Sequence, residues 1–442
     1  MKNLAVAFMG ALVLAGKEKP RAVRGSSRGF LGGPRLTERQ RRVLAVLGAA
    51  NLVDSYDFAL MGLALPQIQA GLGVAEGEIG GMLAVVRLGV APALLLTLFA
   101  DSAGRRRLLL VTILGFTVCT GLTALARTPL EFVVLQFLGR VFIAGETMLA
   151  VVVITEEFDA GNRGWGIGIL GAMGALGHGL ASIVYSFVNV LPFGWRALYL
   201  LGLAPLLLLA WFRRTLGETR RFESLHGAAP PRGAGALLTP LANLVRMYPG
   251  RMIALWAAVV PFAFVAETVM FFPSKFLQET HGYRPGDVAV MYLTVGVLGL
   301  VGNVIAGALG DGLGRKRMLV AALLLNGTSA GLFYNLAGWP LPLLWGLMVL
   351  SMTMALVLFN AVGSELFPTS YRSTASGARQ AVSTLGAAAG LWLEGRLYRS
   401  AGSHPEAITA MLVAVPIAPI VVALFFTETA NRELEEVSPE RG

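Results

Sequence analysis

Ala100-Asp101-Ser102-Ala103-Gly104-Arg105-Arg106-Arg107 and Gly310-Asp311-Gly312-Leu313-Gly314-Arg315-Lys316-Arg317 are two versions of one phrase, 210 residues apart. Each closes a long apolar run and opens the next. Outward from it, Glu156, Phe158 and Arg163 return as Glu365, Phe367 and Arg372 at an offset of 209, and Glu218-Thr219 returns as Glu428-Thr429 at 210. Three landmarks at one nearly constant spacing describe a duplicated unit of about 210 residues, read twice in the same sense.

The composition says what kind of unit this is. Of the 442 residues 55% are apolar and 14% charged, and the mean hydropathy is +0.67. Soluble proteins carry about 25% charged residues, so a soluble enzyme is a poor reading. A net charge of +10 would suit nucleic acid if the bases covered a soluble surface. Here they sit between apolar runs, and no nucleic-acid partner is expected. The single cysteine, Cys119, excludes a disulfide framework and a Cys-based zinc site. Neither HExxH, nor a phosphate-cradling glycine loop, nor Cys/His metal spacing occurs. No metal, no cofactor and no enzymatic activity are therefore expected. The 54 glycines fit helices packed closely in lipid.

A membrane span needs about 20 mostly apolar residues. Twelve such runs stand at roughly 43–66, 79–99, 108–126, 130–154, 165–189, 196–212, 252–274, 288–310, 318–337, 341–363, 373–396 and 407–427. In lipid the backbone must satisfy itself, so these runs are helices. The expected architecture is an all-α integral membrane protein, with twelve transmembrane helices in two six-helix bundles related by a pseudo-twofold axis along the membrane normal. The chain then divides into a basic N-terminal arm (1–42), a first bundle (43–212), a linker (213–251) marked by Pro230-Pro231, a second bundle (252–427) and a tail (428–442). Lys and Arg fall 27 on one side and six on the other, namely Arg127, Arg196, Lys275, Arg284, Arg396 and Arg399. By the positive-inside rule both termini are cytoplasmic, in a cell (plasma or inner) membrane. Leu4 to Gly16 is an apolar run of 13 between Lys2 and Lys17 and resembles a signal-peptide core. Cleavage there would strand the Arg-rich stretch outside, so an upstream start-site extension or a cytoplasmic arm is the better reading.

These motifs resemble the major facilitator superfamily over residues 40–432. Gly307-x-x-x-Asp311-x-x-Gly314-Arg315-Lys316-Arg317 matches the family's signature loop. Its counterpart keeps Asp101, Gly104, Arg105 and Arg106 but has Thr97 and Ser102 where the family has Gly and a base. Glu365-Leu366-Phe367-Pro368-Thr369-x-x-Arg372 and Glu428-Thr429-x-Asn431-Arg432-x-Leu434-Glu435-Glu436 look like the sugar-porter and metabolite:proton symporter branches. Asp54-Ser55-Tyr56-Asp57 is similar to the acidic pair of aromatic-acid:proton symporters. The resemblance implies a cytoplasmic gate in which Asp101 and Asp311 cap helices and pair with bases such as Arg163 and Arg372. The plainer reading of Arg105, Arg106, Arg315 and Lys316 is that they only set topology. In the relatives an arginine of span four partners the span-one acid. Its place falls near Gln136 or Phe137 and Arg140 lies one turn deeper, which leaves Arg140 and Arg87 as alternative partners. Span five lacks the Gly-Pro pair of drug:proton antiporters.

Charges inside the spans carry the functional signal. Asp54, Asp57, Arg87, Arg140 and Glu146 would each cost about 2.5–3.5 kcal/mol at the bilayer centre, so they must face one another or a watery cavity. Asp54 and Asp57, three apart, share a helix face. Arg140 and Glu146 stand about 120° apart. A carboxylate whose proton affinity depends on how near an arginine stands can couple proton binding to a rocking motion. Asp54, Asp57 and Glu146 are the candidates, against the alternative of a static polar network. In the second half Glu267 shares a face with Phe264 and Phe271, and Asn303, Asn360, Arg379 and Gln380 are further polar candidates. His178, among Gly171, Gly174, Gly177 and Gly179, reads as a packing residue rather than a relay.

The function expected is secondary transport of a small organic solute, an organic anion such as a carboxylate, by alternating access with proton symport. The partners are that solute, protons and the lipid bilayer, and the chain is expected to act as a monomer. Proton-coupled efflux of drug-like or cationic metabolites is the alternative within transport. A solute receptor without turnover is the alternative outside it.

Overall fold

The computed structural model describes residues 36–93, 105–158, 162–213, 235–368 and 371–430. Asp101 and Gly104 lie outside the described residues, as do the side chains of Arg105, Arg106 and Arg163. The first half contains α1 (Glu38–Leu63), α2 (Leu65–Leu72), α3 (Glu76–Leu88), α4 (Arg105–Thr123), α5 (Pro129–Glu157), α6 (Arg163–Tyr185) and α7 (Trp195–Arg213). Then come α8 (Gly235–Met247), α9 (Pro249–Phe271), α10 (Pro285–Leu313), α11 (Arg315–Asn335), α12 (Pro340–Glu365), α13 (Arg372–Ala401), α14 (His404–Met411) and α15 (Ile417–Phe425). The fold is all-helical, with no strand among the described residues.

Local sequence sets the helix starts. Thr37 Oγ1 accepts from the Gln40 amide at 3.2 Å while Gln40 Oε1 accepts from Thr37 N at 3.0 Å, a capping box at the head of α1. Thr128 and Glu131 repeat the device at α5. Among the described residues, eight helices are by length and composition long and apolar enough to cross a membrane, with shorter apolar helices at Arg107–Thr123 and Trp195–Leu207. The last span is broken into α14, a 3-10 turn at Leu412–Ala414 and α15, with Pro416 at the break. The stretch read as a linker loop contains the helix α8, which packs on α9 and α13.

The duplication is visible as two matching sets of neighbours. α1 packs on α6 as α9 packs on α13, α4 on α5 as α11 on α12, and α3 on α5 as α10 on α12. The halves meet along two seams, α3 with α13 and α6 with α10. Glycines permit the tightest intra-half contacts. A Cβ on Gly174 would stand 3.0 Å from Ser55 Oγ, and one on Gly177 would strike the Leu52 carbonyl oxygen. In the second half Gly386 and Gly390 meet the backbone at Val260 and Phe264, the residues 209 beyond Asn51 and Ser55. With no hydrophobic drive between helices in lipid, such close backbone approach is what holds them together.

Candidate functional site

α1 carries Asp54 and Asp57 into the interior, where they are 3% and 4% exposed. Asp57 accepts a hydrogen bond from Thr120 Oγ1 of α4 at 3.4 Å. Arg140 of α5 is also buried, with its guanidinium carbon 4.3 Å from the centroid of the Phe58 ring. It stands within electrostatic reach of Arg87, Asp57, Glu267 and Asp54. Arg87 of α3 pairs with Glu267 of α9 at 3.1 Å, across the boundary between the halves. Both of those side chains keep some exposure, 17% and 11%. Five sequence candidates are thus one cluster. Glu146 is buried on α5, about 9 Å further along that helix than Arg140.

Two features were not read in the sequence. Glu267 lies 210 residues beyond Asp57, within one residue of the repeat offset, so the two carboxylates stand at nearly the same level of α1 and α9. Laying the repeat offset over the spans would have found it. Arg87, weighed as a partner for the span-one acids, has its ion pair with Glu267. Gln136, near the place where relatives put an arginine, is buried and donates to Thr123 Oγ1 at 3.3 Å.

Aromatic rings line the same level. Phe58 meets Phe271 and His178 edge-on, with centroids 5.8 and 6.1 Å apart. His178 stacks on Tyr292 of α10 with an interplanar angle of 9°. A histidine read as a packing residue therefore packs at the seam between the halves. Asn303 is exposed, eleven residues beyond Tyr292 and hence on the same face of α10. Its amide donates to Gly299 O at 3.2 Å. Arg379 is buried and donates to Asn360 Oδ1, so these two candidates engage each other.

The basic side holds the repeated motif. Arg315 bonds Asp311 through Nη2 at 2.8 Å and also pairs with Glu365. Glu428, from the second tail motif, caps α11: its Oε1 accepts from Arg315 N at 2.8 Å and Lys316 N at 3.4 Å. A carboxylate at a helix N-terminus satisfies orphan amides and meets the positive end of the dipole. Gly314, with φ of +104°, makes room, since a Cβ there would lie 2.5 Å from Glu428 Oε2. Arg372, expected as a partner for Asp311, directs Nε to the Phe367 carbonyl at 3.3 Å. In the first half, Arg39 of α1 makes a two-pronged pair with Glu157 at 2.8 and 2.9 Å.

The comparisons agree on what this arrangement belongs to. The sequence profile of the Major Facilitator Superfamily matches residues 47–305 and 255–441. A Bacillus subtilis (strain 168) protein named for niacin/nicotinamide transport is 26% identical over 90% of this chain and 98% of its own. The cis,cis-muconate transport protein of Acinetobacter baylyi is 27% identical over 86% and 92%. A crystal structure of a D-xylose-proton symporter shares the fold at a TM-score of 0.71 and 18% identity, covering 88% of this chain and 98% of that one. With the family profile matched along both halves, the chain is a multi-pass membrane transporter and belongs to the Major Facilitator Superfamily.

Proposed function

We propose that this secondary transporter of small organic solutes moves an organic anion, a planar carboxylate, by alternating access in symport with protons, its basic face cytoplasmic. The observation that carries the reading is the paired construction at the centre. Asp57 and Glu267, at nearly the same level of α1 and α9, each stand near an arginine, Arg140 and Arg87, and the Arg87–Glu267 pair spans the two halves. A buried charge without an opposite partner is costly. When the halves part, Arg87 and Glu267 must each find another partner. A substrate carboxylate suits Arg87 and a proton suits Glu267, so an anion and a proton binding together compensate both. Asp54 and Asp57 beside Arg140 offer the second such site.

Substrate class rests on chemistry and likeness together. Arg140 over Phe58, with Phe271, His178 and Tyr292 adjoining, suits a flat unsaturated frame bearing a carboxylate. Niacin and cis,cis-muconate, named in two relatives, are of that kind. Orientation rests on the charge asymmetry of the loops.

The test is uptake of labelled nicotinate and cis,cis-muconate into proteoliposomes with and without an imposed pH gradient. Accumulation driven by an inward proton gradient supports symport, and expulsion under that gradient overturns it. Asp54→Asn and Asp57→Asn should abolish uphill accumulation while sparing counterflow. Full gradient-driven uptake in both would remove that pair from coupling. Binding with no flux under any gradient would point to a receptor.

A further inference from the structure

At the end of the molecule away from the basic loops, a second buried charge cluster crosses the α3–α13 seam. Lys275, following α9, is 1% exposed. Its ammonium donates to Gln69 Oε1 of α2, to Glu76 at 3.2 Å and to Glu279 at 2.7 Å. Glu76 belongs to the first half and also accepts from His404 Nε2 at 2.8 Å. The other ring nitrogen of His404, Nδ1, lies 2.5 Å from Glu394 Oε1 of α13. Glu394 is 0% exposed, and its Oε2 has no hydrogen-bond partner among the described residues. That oxygen faces α3, 2.7 Å from where a Cβ on Gly80 would stand.

A neutral imidazole has one N–H and one lone pair, whereas an imidazolium has two N–H groups. Two acids on the two ring nitrogens are therefore satisfied either by the doubly protonated ring between two carboxylates, or by a neutral ring with the proton on one acid; otherwise a carboxylate meets a lone pair. The surroundings favour the cation. The ring lies between Phe272 and Tyr398, with centroids 4.8 and 4.5 Å away, which suits a positive charge. The charged and titratable groups around it are Glu76 from α3 and Glu394 and Tyr398 from α13, with Lys275 and Glu279 of the segment after α9 joined through Glu76, and Arg399 of α13 packs on the start of α3 at Gly77. Tyr334 of α11 stands near Glu394. On its own helix, Glu406 is exposed. Within the hydrogen-bonded cluster a neutral ring leaves three carboxylates against one ammonium, and protonation of the ring offsets one of the two excess negative charges. Burial works against the Glu76 carboxylate, but its hydrogen bonds with His404, Gln69 and Lys275 hold its pKa below the usual value.

We infer that His404 is a second proton-binding site, set between Glu394 and Glu76 on the outer seam, and that the halves close there when its ring is protonated. The inference rests on the alternating-access reading above. Its sign is fixed by the geometry: only the doubly protonated ring donates to both carboxylates, so closure is favoured at low pH and weakens as pH rises. A proton taken up here from the outside would help close the outer mouth before Asp57 and Glu267 act.

The test uses the full chain in nanodiscs with Cys119→Ala and spin labels on Val190→Cys and Trp339→Cys. Those positions are exposed at 78% and 83%, on the outer ends of opposite halves. The label separation across pH reports the closed-to-open ratio. Raising pH should lower that ratio by about tenfold, the size of one charge-assisted hydrogen bond, and His404→Gln should flatten the response. Glu394→Gln supplies an amide donor to a neutral ring, so it should keep the seam closed at high pH. If His404→Gln fails to fold, that variant decides: pH-independent closure supports the site, and a wild-type response overturns it. A pH response retained in His404→Gln, or no response in the parent, also overturns it. Asp57→Asn should leave the response intact. Its loss there assigns the effect to the central acids and sinks this proposal. A pH-responsive seam without proton-driven uptake would leave His404 standing and remove symport.

Discussion

The two ends of the helical bundle use charge in opposite ways. At the far end, Lys275, Glu76 and His404 bond from one half to the other. Gln67 with Gln278 at 2.8 Å and Ser274 with the Leu63 carbonyl at 2.6 Å do the same. At the basic end, Arg39–Glu157 ties α1 to α5 within the first half, and Arg315 with Asp311, Glu365 and Glu428 ties α10, α11, α12 and the segment after α15 within the second. On the alternating-access reading proposed above, ions that bridge the halves would set which way the molecule is open, and ions that bridge helices of one half would make that half move as a body. The same residue types therefore predict different consequences when removed, depending on which boundary they cross.

The sharpest way to break this contrast is Lys275→Met. Its ammonium is buried while Glu76 and Glu279 keep 37% and 45% of their side-chain surface, so water recovers part of the loss. Even so, two carboxylates lose their common cation and Gln69 loses its donor. The closed-to-open ratio of the far end should fall by roughly ten- to a hundredfold, against the several kcal/mol of a fully buried broken pair. Distance measurements on labelled Val190→Cys/Trp339→Cys protein would show it. An unchanged distribution would mean that the Lys275 bonds do not hold the halves together.

Lys275 also shows where sequence reading stopped. By position among the six outer-side basic residues it reads as a loop charge, yet it is one of the most deeply buried ions among the described residues. Spans and repeat were legible because hydropathy and fixed offsets are properties of the chain itself. The central charges were legible because each is expensive in lipid wherever its partner stands. What the sequence withheld was pairing across the seam. Arg87 and Glu267 are 180 residues apart, and Glu76 and His404 are 328 apart. Glu76, Glu394 and His404 sit at span ends, where polar residues are ordinary, so nothing marked them. The linker helix α8 was missed because Pro230-Pro231 and the bases nearby gave the whole stretch a loop composition.

At the basic end Gly314→Ala should act on stability rather than on opening. An alanine at φ of +104° is strained, and its Cβ would crowd Glu428 Oε2, for a cost of about 1–3 kcal/mol. Thermal unfolding in detergent should register the loss while label distances at the far end stay put. Adding Glu428→Ala separates the two causes. The crowding is relieved, the backbone strain remains, and α11 loses its cap. A second substitution that restored full stability would show that backbone strain contributes nothing.

The smallest effect sharpens the comparison most. Glu157→Gln removes the charge that Arg39 grips with two hydrogen bonds, but leaves an amide able to accept one of them. Arg39 is 35% exposed and Glu157 3%, so the arginine can keep one bond to the amide and turn its other nitrogens to water, and the cost should be about 1 kcal/mol. Because the pair joins α1 to α5 within one half, solute counterflow should continue at nearly the parent rate. A shift in unfolding temperature with unaltered counterflow would mark Arg39–Glu157 as a brace inside a moving body. A large change in counterflow with unaltered stability would mean instead that this pair, like Lys275, takes part in the motion, and the division between the two ends would have to be redrawn.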